Sequence, residues 1–141
     1  MIEFNYSRRN VSQQIVYTFF IKLKFLKGND AFKSGDWKTA KELYTSAIMQ
    51  YDRNHVLFTN RAQAEIHLKE YFEASRDCEA AIKLNPDSIK AHIHLAKALN
   101  GLQEKAAAIK ILELAETISN EHTNIIIQYK EEIMREIGPF N

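Results

Sequence analysis

Residues 62–81 read AQAEIHLKEYFEASRDCEAA, and the same pattern of small and apolar residues occurs 34 positions earlier and 34 positions later. The earlier copy, residues 28–47, reads GNDAFKSGDWKTAKELYTSA, and the later copy, residues 96–115, reads AKALNGLQEKAAAIKILELA. Small residues share three positions and larger residues share a fourth: Gly28/Ala62/Ala96, Ala40/Ala74/Ala108, Ala47/Ala81/Ala115 and Tyr44/Cys78/Leu112. Small residues at a fixed period indicate places where helices approach closely, so the pattern predicts a repeated pair of helices.

The period divides most of the chain into three repeats, which we place at residues 21–54, 55–88 and 89–122. Each repeat is predicted to hold two helices, at residues 21–34 and 37–51, 55–68 and 71–84, and 89–101 and 105–118. The turn signals agree, because Gly35 tolerates a left-handed turn and Asp36 can cap the next helix. Pro86 separates the second and third repeats, since proline cannot continue a helix. The sequence therefore predicts an all-α fold, with residues 1–20 as an N-terminal extension.

A seventh helix is predicted at about residues 122–137, within a C-terminal segment, residues 123–141, of capping helix and tail. Ile126, Tyr129, Ile133 and Ile137 lie on one stripe at helical spacing. The last unit of a repeat protein exposes an apolar face, and a helix with one apolar side can cover it. We therefore expect this stripe to pack on the third repeat.

The segment before the first repeat has an unusual composition. Nine of the twelve residues from Ile15 to Leu26 are apolar or aromatic, and no acidic residue occurs from Phe4 to Asn29. The apolar run is shorter than the roughly 20 residues of a membrane span, and no small-residue cleavage site follows it. Three interpretations stay open: an extension of the first helix that lies on the first repeat, which we favour, a targeting signal, or translated AT-rich intron in place of native coding sequence.

Composition and charge exclude several classes of function. The chain has 19 basic and 18 acidic residues, and its formal net charge of +1 argues against a nucleic-acid partner. The sequence shows no metal-binding Cys/His cluster, no glycine-rich phosphate loop and no nucleophile motif, so we expect no enzyme, metal site or cofactor. The lone cysteine, Cys78, shares an apolar repeat position and is expected to be a packed, inert thiol. A lone thiol fits the reducing cytoplasm.

Two stretches carry a more specific resemblance, KGNDAFKSGDW at residues 27–37 and VLFTNRAQA at residues 56–64. With the 34-residue period, they resemble the tetratricopeptide-repeat (TPR) domains of eukaryotic co-chaperones, from about Leu23 to the C-terminus. The resemblance implies a right-handed superhelix of three helix–turn–helix repeats plus a C-terminal capping helix. It also implies a protein-binding adaptor that acts in the cytoplasm, without a membrane partner.

Many domains of this family bind the extreme C-terminus of a heat-shock chaperone, Glu-Glu-Val-Asp, with five residues that clamp its carboxylates. Charge-assisted hydrogen bonds from a rigid helical face bind such carboxylates strongly. Asn29, Asn60 and Lys90 match the clamp in this chain. Phe25 stands where the first lysine belongs, and His94 stands where the arginine belongs. The resemblance therefore implies an incomplete carboxylate clamp.

The first helix of each repeat is predicted to line the groove. The charges on these inner helices favour an anionic ligand independently of the clamp. That face is predicted to carry four lysines, two histidines and no carboxylate: Lys22, Lys33, Lys90, Lys97, His67 and His94. Charges of one sign on a concave face focus the field on an oppositely charged ligand. The partner predicted is a protein or peptide, in particular the C-terminal tail of a heat-shock chaperone. The peptide-binding residues predicted are Asn29, Phe32, Lys33, Asn60, Gln63, Lys90, His94 and Lys97.

An alternative function keeps the fold but changes the ligand. In this interpretation the domain is a structural scaffold that holds a different partner through Phe25, Phe32 and the aromatic N-terminus, and the clamp is not functional.

Two expectations concern single residues. His94 gains a charge near its ordinary pKa, so peptide affinity is expected to rise as the pH falls from about 7.5 to about 6. Glu65 stands where these repeats usually place an aromatic or small packing residue. Its side chain is therefore expected to be strained or to extend its carboxylate to solvent.

Overall fold

Seven α-helices follow one another in the computed structural model, which describes residues 10–139. They are α1 (Val11–Lys33), α2 (Trp37–Gln50), α3 (His55–His67), α4 (Tyr71–Leu84), α5 (Ile89–Gly101), α6 (Lys105–Ile118) and α7 (Thr123–Ile137). Each helix packs on the next one, and α3 also packs on α5. This sequential packing confirms the predicted all-α fold of three helix pairs followed by a capping helix.

Caps and left-handed turns set the boundaries of the helices. Asp36 caps α2 by accepting a hydrogen bond from the backbone N–H of Thr39. The turn inside each helix pair places one residue at positive φ, at positions 34 apart: Gly35 (80°), Lys69 (61°) and Gln103 (66°). Glycine adopts this conformation freely, whereas other residues are destabilised there by about 1–2 kcal/mol. The backbone of the turn therefore repeats even where its sequence does not.

The core lies between successive helices, at the positions that the period predicts. The six repeated alanines are fully buried: Ala40, Ala47, Ala74, Ala81, Ala108 and Ala115. Tyr44, Cys78 and Leu112, at the larger repeated position, are also buried. Burial raises the pKa of the Cys78 thiol, so this side chain is packed and little of it is thiolate at neutral pH.

The first helix begins at Val11 rather than at residue 21, so the favoured interpretation, an extension of the first helix, is confirmed from Val11 onwards. Residues 1–9 lie outside the described part of the chain. Val11, Ile15 and Phe19 are 72%, 65% and 62% exposed, so the start of the helix does not lie on the first repeat as expected. The segment up to Lys27 contains neither proline nor glycine, and the helix therefore continues without a break. Within residues 10–139, no helix combines the length and apolar character needed to cross a membrane.

The capping helix covers the third repeat with most of its predicted stripe. Ile126 and Ile133 are fully buried, and Tyr129 is partly buried against the same cluster. Ile137 is 42% exposed, so the expectation that the whole stripe packs on the repeat is wrong for this residue. Ile137 is the last helical residue, and Gly138 follows it at a φ of 78°, where the chain leaves the helix.

Candidate functional site

Asn29 on α1 and Asn60 on α3 lie side by side. The Nδ2 atom of Asn60 donates a hydrogen bond of 3.3 Å to Oδ1 of Asn29, across 31 residues of sequence. The same oxygen accepts a shorter hydrogen bond, 2.6 Å, from the hydroxyl of Tyr44 on α2. Asn60 is 8% exposed and Asn29 is half-buried. Two residues that match the clamp are therefore in direct contact, and a third residue that sequence reasoning missed holds one of them.

Tyr44 reaches Asn29 because the backbone at Gly28 leaves room for its ring. A Cβ atom at Gly28 would lie 2.6 Å from the ring's Cε1 atom, which no packing could accommodate unchanged. Burial raises the pKa of the Tyr44 hydroxyl to about 12, so it keeps its proton and donates at neutral pH. A signal was present in the sequence: the first repeat has Gly and Tyr at positions where the later repeats have Ala with Cys or Leu.

Lys90, His94 and Lys97 all lie on α5, but their environments differ. Both lysines are exposed, whereas His94 is 7% exposed. Burial, followed by the charges of Lys97 and Lys90, lowers the pKa of His94 to about 3. Its Nδ1 atom has no hydrogen-bond partner among residues 10–139. The expectation that His94 becomes charged between about pH 7.5 and 6 is therefore wrong, because a buried ring next to two cations stays neutral.

Phe32 belongs to an aromatic cluster with Trp37 and His67. The ring of Phe32 lies 4.8 Å from that of Trp37 and 5.6 Å from that of His67. Trp37 and His67 stack in parallel, with centroids 3.9 Å apart and an angle of 8°. The cluster joins the end of α1, the start of α2 and the end of α3, and Trp37 was not among the predicted site residues. Of the other predicted residues, Lys33 is exposed at the end of α1 and Gln63 is half-buried on α3.

A second group of polar side chains lies between the first two repeats, with its carboxylates buried and its cations partly exposed. Glu65 is 3% exposed, so the expectation that its carboxylate extends to solvent is wrong. Its Oε1 atom lies 3.7 Å from Nζ of Lys41 and 4.0 Å from Nε of Arg61. Arg61 in turn donates two hydrogen bonds, 2.6 and 2.7 Å long, to the carboxylate of Asp77. We call Lys41, Arg61, Glu65 and Asp77 the buried ion network.

The protonation of Glu65 follows from this environment. Burial, and then the negative charge of Asp77, raises the pKa of Glu65 to about 8. The shift means that the environment disfavours the charged form of Glu65 beside the carboxylate of Asp77, and its Oε2 atom has no hydrogen-bond partner among residues 10–139. No spacing in the sequence predicts this, because the four residues of the buried ion network lie on three different helices.

Comparison with known proteins defines the class of the domain. The chain is 36% identical over 110 residues to the human WD and tetratricopeptide repeats protein 1, covering 76% of this chain and 16% of that protein. It superposes on the TPR2B domain of yeast Sti1, solved as a pHsp70 complex, with a TM-score of 0.80 and 27% identity, over 84% of this chain and 98% of that chain. The first TPR of Spaghetti (RPAP3), bound to the HSP90 peptide SRMEEVD, superposes with a TM-score of 0.78 and 28% identity, over 84% and 94% of the two chains. No protein-family model matches the chain.

The chain is therefore a TPR domain, a protein-binding module, and it resembles the TPR domains of co-chaperones. It spans 16% of the length of the human and mouse WD and tetratricopeptide repeats protein 1. Among the similar solved structures, the second TPR domain of human RPAP3 is in complex with the HSP70 peptide SGPTIEEVD.

Proposed function

We propose that this domain is an adaptor that binds an acidic C-terminal peptide, in particular the tail of a heat-shock chaperone in the cytoplasm. The observation that carries the proposal is the contact between Asn29 and Asn60, the two asparagines that match the clamp. Exposed Lys90 and Lys97 on α5 supply positive charge. Similar domains are solved with peptides that end in EEVD, SRMEEVD and SGPTIEEVD.

The chemistry sets the expected strength of binding. A terminal aspartate carries two carboxylates, which accept hydrogen bonds from amide N–H groups and from ammonium groups. A hydrogen bond to a charged group contributes about 1.5–3 kcal/mol. Phe25 and the neutral His94 supply no such cation, so affinity is expected to be roughly two to four orders of magnitude below that of a complete clamp.

The test compares a Glu-Glu-Val-Asp peptide with the same peptide amidated at its C-terminus, by calorimetry or fluorescence anisotropy. We expect the free acid to bind more tightly, because only it offers the terminal carboxylate. Lys90→Ala should weaken binding of the free acid by about tenfold or more, the loss of one charge-assisted bond. The matched control is Lys110→Ala, an exposed lysine on the outer helix α6, which should leave binding unchanged.

A second variant tests whether a permanent cation is missing at His94. An arginine at this position has a longer side chain and keeps its charge at every relevant pH. His94→Arg should therefore raise affinity for the free acid at pH 7 by about tenfold. Phe25→Lys added to His94→Arg should raise the affinity further, because the two residues lie on different helices and each would supply its own cation. A thermal melt of each variant separates a lost fold from a lost interaction.

The scaffold function is favoured by a different observation, the aromatic cluster of Phe32, Trp37 and His67 on the first two repeats. In that case the ligand is apolar and its terminal carboxylate is irrelevant. Equal affinity for the acid and the amide, with no response to Lys90→Ala, would favour the scaffold and reject the carboxylate clamp.

A further inference from the structure

The contact between Tyr44 and Asn29 is specific to the first repeat. At the positions of Tyr44 and Asn29, the second repeat has Cys78 and Gln63. The third repeat has Leu112 at the position of Tyr44. Neither the thiol of Cys78 nor the side chain of Leu112 can donate a strong hydrogen bond to a side chain on the neighbouring helix. The only repeat with a tyrosine here is thus the one that supplies the first clamp asparagine.

The ring and the hydroxyl of Tyr44 have separable tasks. The ring is 1% exposed and fills the space that Gly28 leaves open, and a phenylalanine would fill the same space. The hydroxyl makes the 2.6 Å hydrogen bond to Oδ1 of Asn29. Removal of the hydroxyl alone therefore separates its hydrogen bonding from the packing of the ring.

The two hydrogen bonds to Asn29 determine which side of its amide is available. An amide oxygen has two lone pairs, and here one accepts from Tyr44 and the other from Asn60. The oxygen is thereby saturated, and the NH₂ group of Asn29 is left to donate to a ligand. A carboxylate only accepts hydrogen bonds, so the reverse orientation of the amide would place two acceptors against each other.

We propose that Tyr44 is a positioning residue of the peptide-binding face, whose hydroxyl holds the amide of Asn29 so that its NH₂ group faces the terminal carboxylate of the peptide. This inference rests on the proposed function. Tyr44 does not touch the ligand; it acts through Asn29.

Tyr44→Phe tests the proposal. We expect affinity for the free-acid peptide to fall about 2- to 10-fold, the equivalent of one hydrogen bond. Affinity for the amidated peptide should stay the same. The matched control is Tyr129→Phe, which removes the hydroxyl of a partly buried tyrosine that accepts a 3.3 Å hydrogen bond from Nδ2 of Asn100 on α5. The control should change neither affinity.

A double-mutant cycle assigns the effect to Asn29. In the Asn29→Ala background, Tyr44→Phe should cause no further loss of affinity, because the group that it positions is gone. An equal loss in both backgrounds would overturn the proposal. So would an equal loss with the amidated peptide, which would show a general effect on the fold.

A measurement without peptide keeps this inference separate from the proposed function. The side-chain ¹⁵N order parameter of Asn29 should be high in the wild type and lower in Tyr44→Phe. An unchanged order parameter would overturn the proposal even if the peptide binds. If the wild type does not distinguish the acid from the amide, the proposed function fails, and the order parameter still decides whether Tyr44 positions Asn29.

Discussion

The molecule has two junctions between repeats, one between the first two repeats and one between the last two. They use equivalent positions of the repeat, but these positions carry charged residues at the first junction and apolar residues at the second. The correspondence, at a distance of 34 residues, is Arg61 with Leu95, Glu65 with Leu99 and Asp77 with Ile111. The first set makes the buried ion network, whereas the second set packs in one apolar cluster with Cys78. The same backbone arrangement is therefore stabilised by paired charges in one place and by apolar burial in the other.

The two junctions also differ where an aromatic residue meets the next repeat. Trp37 stacks on His67 at the first junction. At the second junction the equivalent residues, 34 positions later, are Tyr71 and Gly101. A Cβ atom at Gly101 would lie 2.3 Å from the ring of Tyr71, so the ring there takes the space of a side chain. The repeat therefore fixes where the helices touch, while each junction settles its chemistry separately.

The largest expected effect comes from removal of the central cation of the buried ion network. Arg61→Leu leaves Asp77 buried without its two hydrogen bonds, and such a change costs about 3–5 kcal/mol of unfolding free energy. Urea denaturation measures it. If the free energy of unfolding falls by less than about 1 kcal/mol, the carboxylate of Asp77 is hydrogen-bonded to water or to another group in the variant.

Conversion of the whole first junction to the chemistry of the second sharpens this comparison. The triple variant Arg61→Leu, Glu65→Leu, Asp77→Ile should regain most of the loss and reach wild-type stability or exceed it by about 1–4 kcal/mol. A triple variant as unstable as Arg61→Leu would mean that the two junctions are not interchangeable in shape.

A smaller effect is expected from Gly101→Ala at the second junction. Alanine favours the helix by about 1 kcal/mol over glycine. The overlap with the ring of Tyr71 should outweigh that gain, and overpacking of this kind costs about 1–3 kcal/mol net. Thermal and urea unfolding measure it, and a stabilised variant would contradict the tight contact.

The first junction should also make stability depend on pH. The pKa of Glu65 is about 8 in the folded protein, well above the ordinary value of a glutamate, so the folded state holds a proton that the unfolded state has already lost in this pH range. The contribution of Glu65 to the free energy of unfolding is fully present below about pH 4.5, and it is lost as the pH rises through about 8. The facing groups are Lys41 of α2, Arg61 of α3 and Asp77 of α4.

The measurement for this prediction is urea unfolding of the wild type and Glu65→Gln from pH 5 to 9. Glutamine keeps the shape and has no proton to lose, so the difference between the two proteins should drift in favour of the variant as the pH rises. A constant difference would place the pKa of Glu65 in its ordinary range.

The smallest effect is expected at the stacked pair of the first junction. His67→Ala removes the ring that lies on Trp37, and an aromatic pair contributes about 0.5–1.5 kcal/mol beyond its buried area. Unfolding monitored by tryptophan fluorescence, with Lys69→Ala as an exposed control on the adjoining turn, measures the change. A loss as large as that of Gly101→Ala would make the two aromatic contacts equivalent.

Residues that act locally or periodically could be predicted from the sequence. The alanines of the repeat, the cap at Asp36 and the turn at Gly35 depend on spacing or on neighbours in the chain, and the structure has them as expected. Asn29 and Asn60 could be identified by resemblance, and they are in contact. The burial of His94 and the exposure of the start of the first helix were not predicted, because both depend on what the rest of the fold covers.

The sequence by itself determined the number of repeats, the places where helices meet and the class of the protein, since a period of 34 residues encodes them directly. The shifted pKa values of Glu65 and His94 and the orientation of the Asn29 amide come only from the packing of the helices. Protonation depends on how far neighbouring helices exclude water and on which charges they bring near. Orientation depends on a hydroxyl from another helix, and no residue close in sequence supplies it.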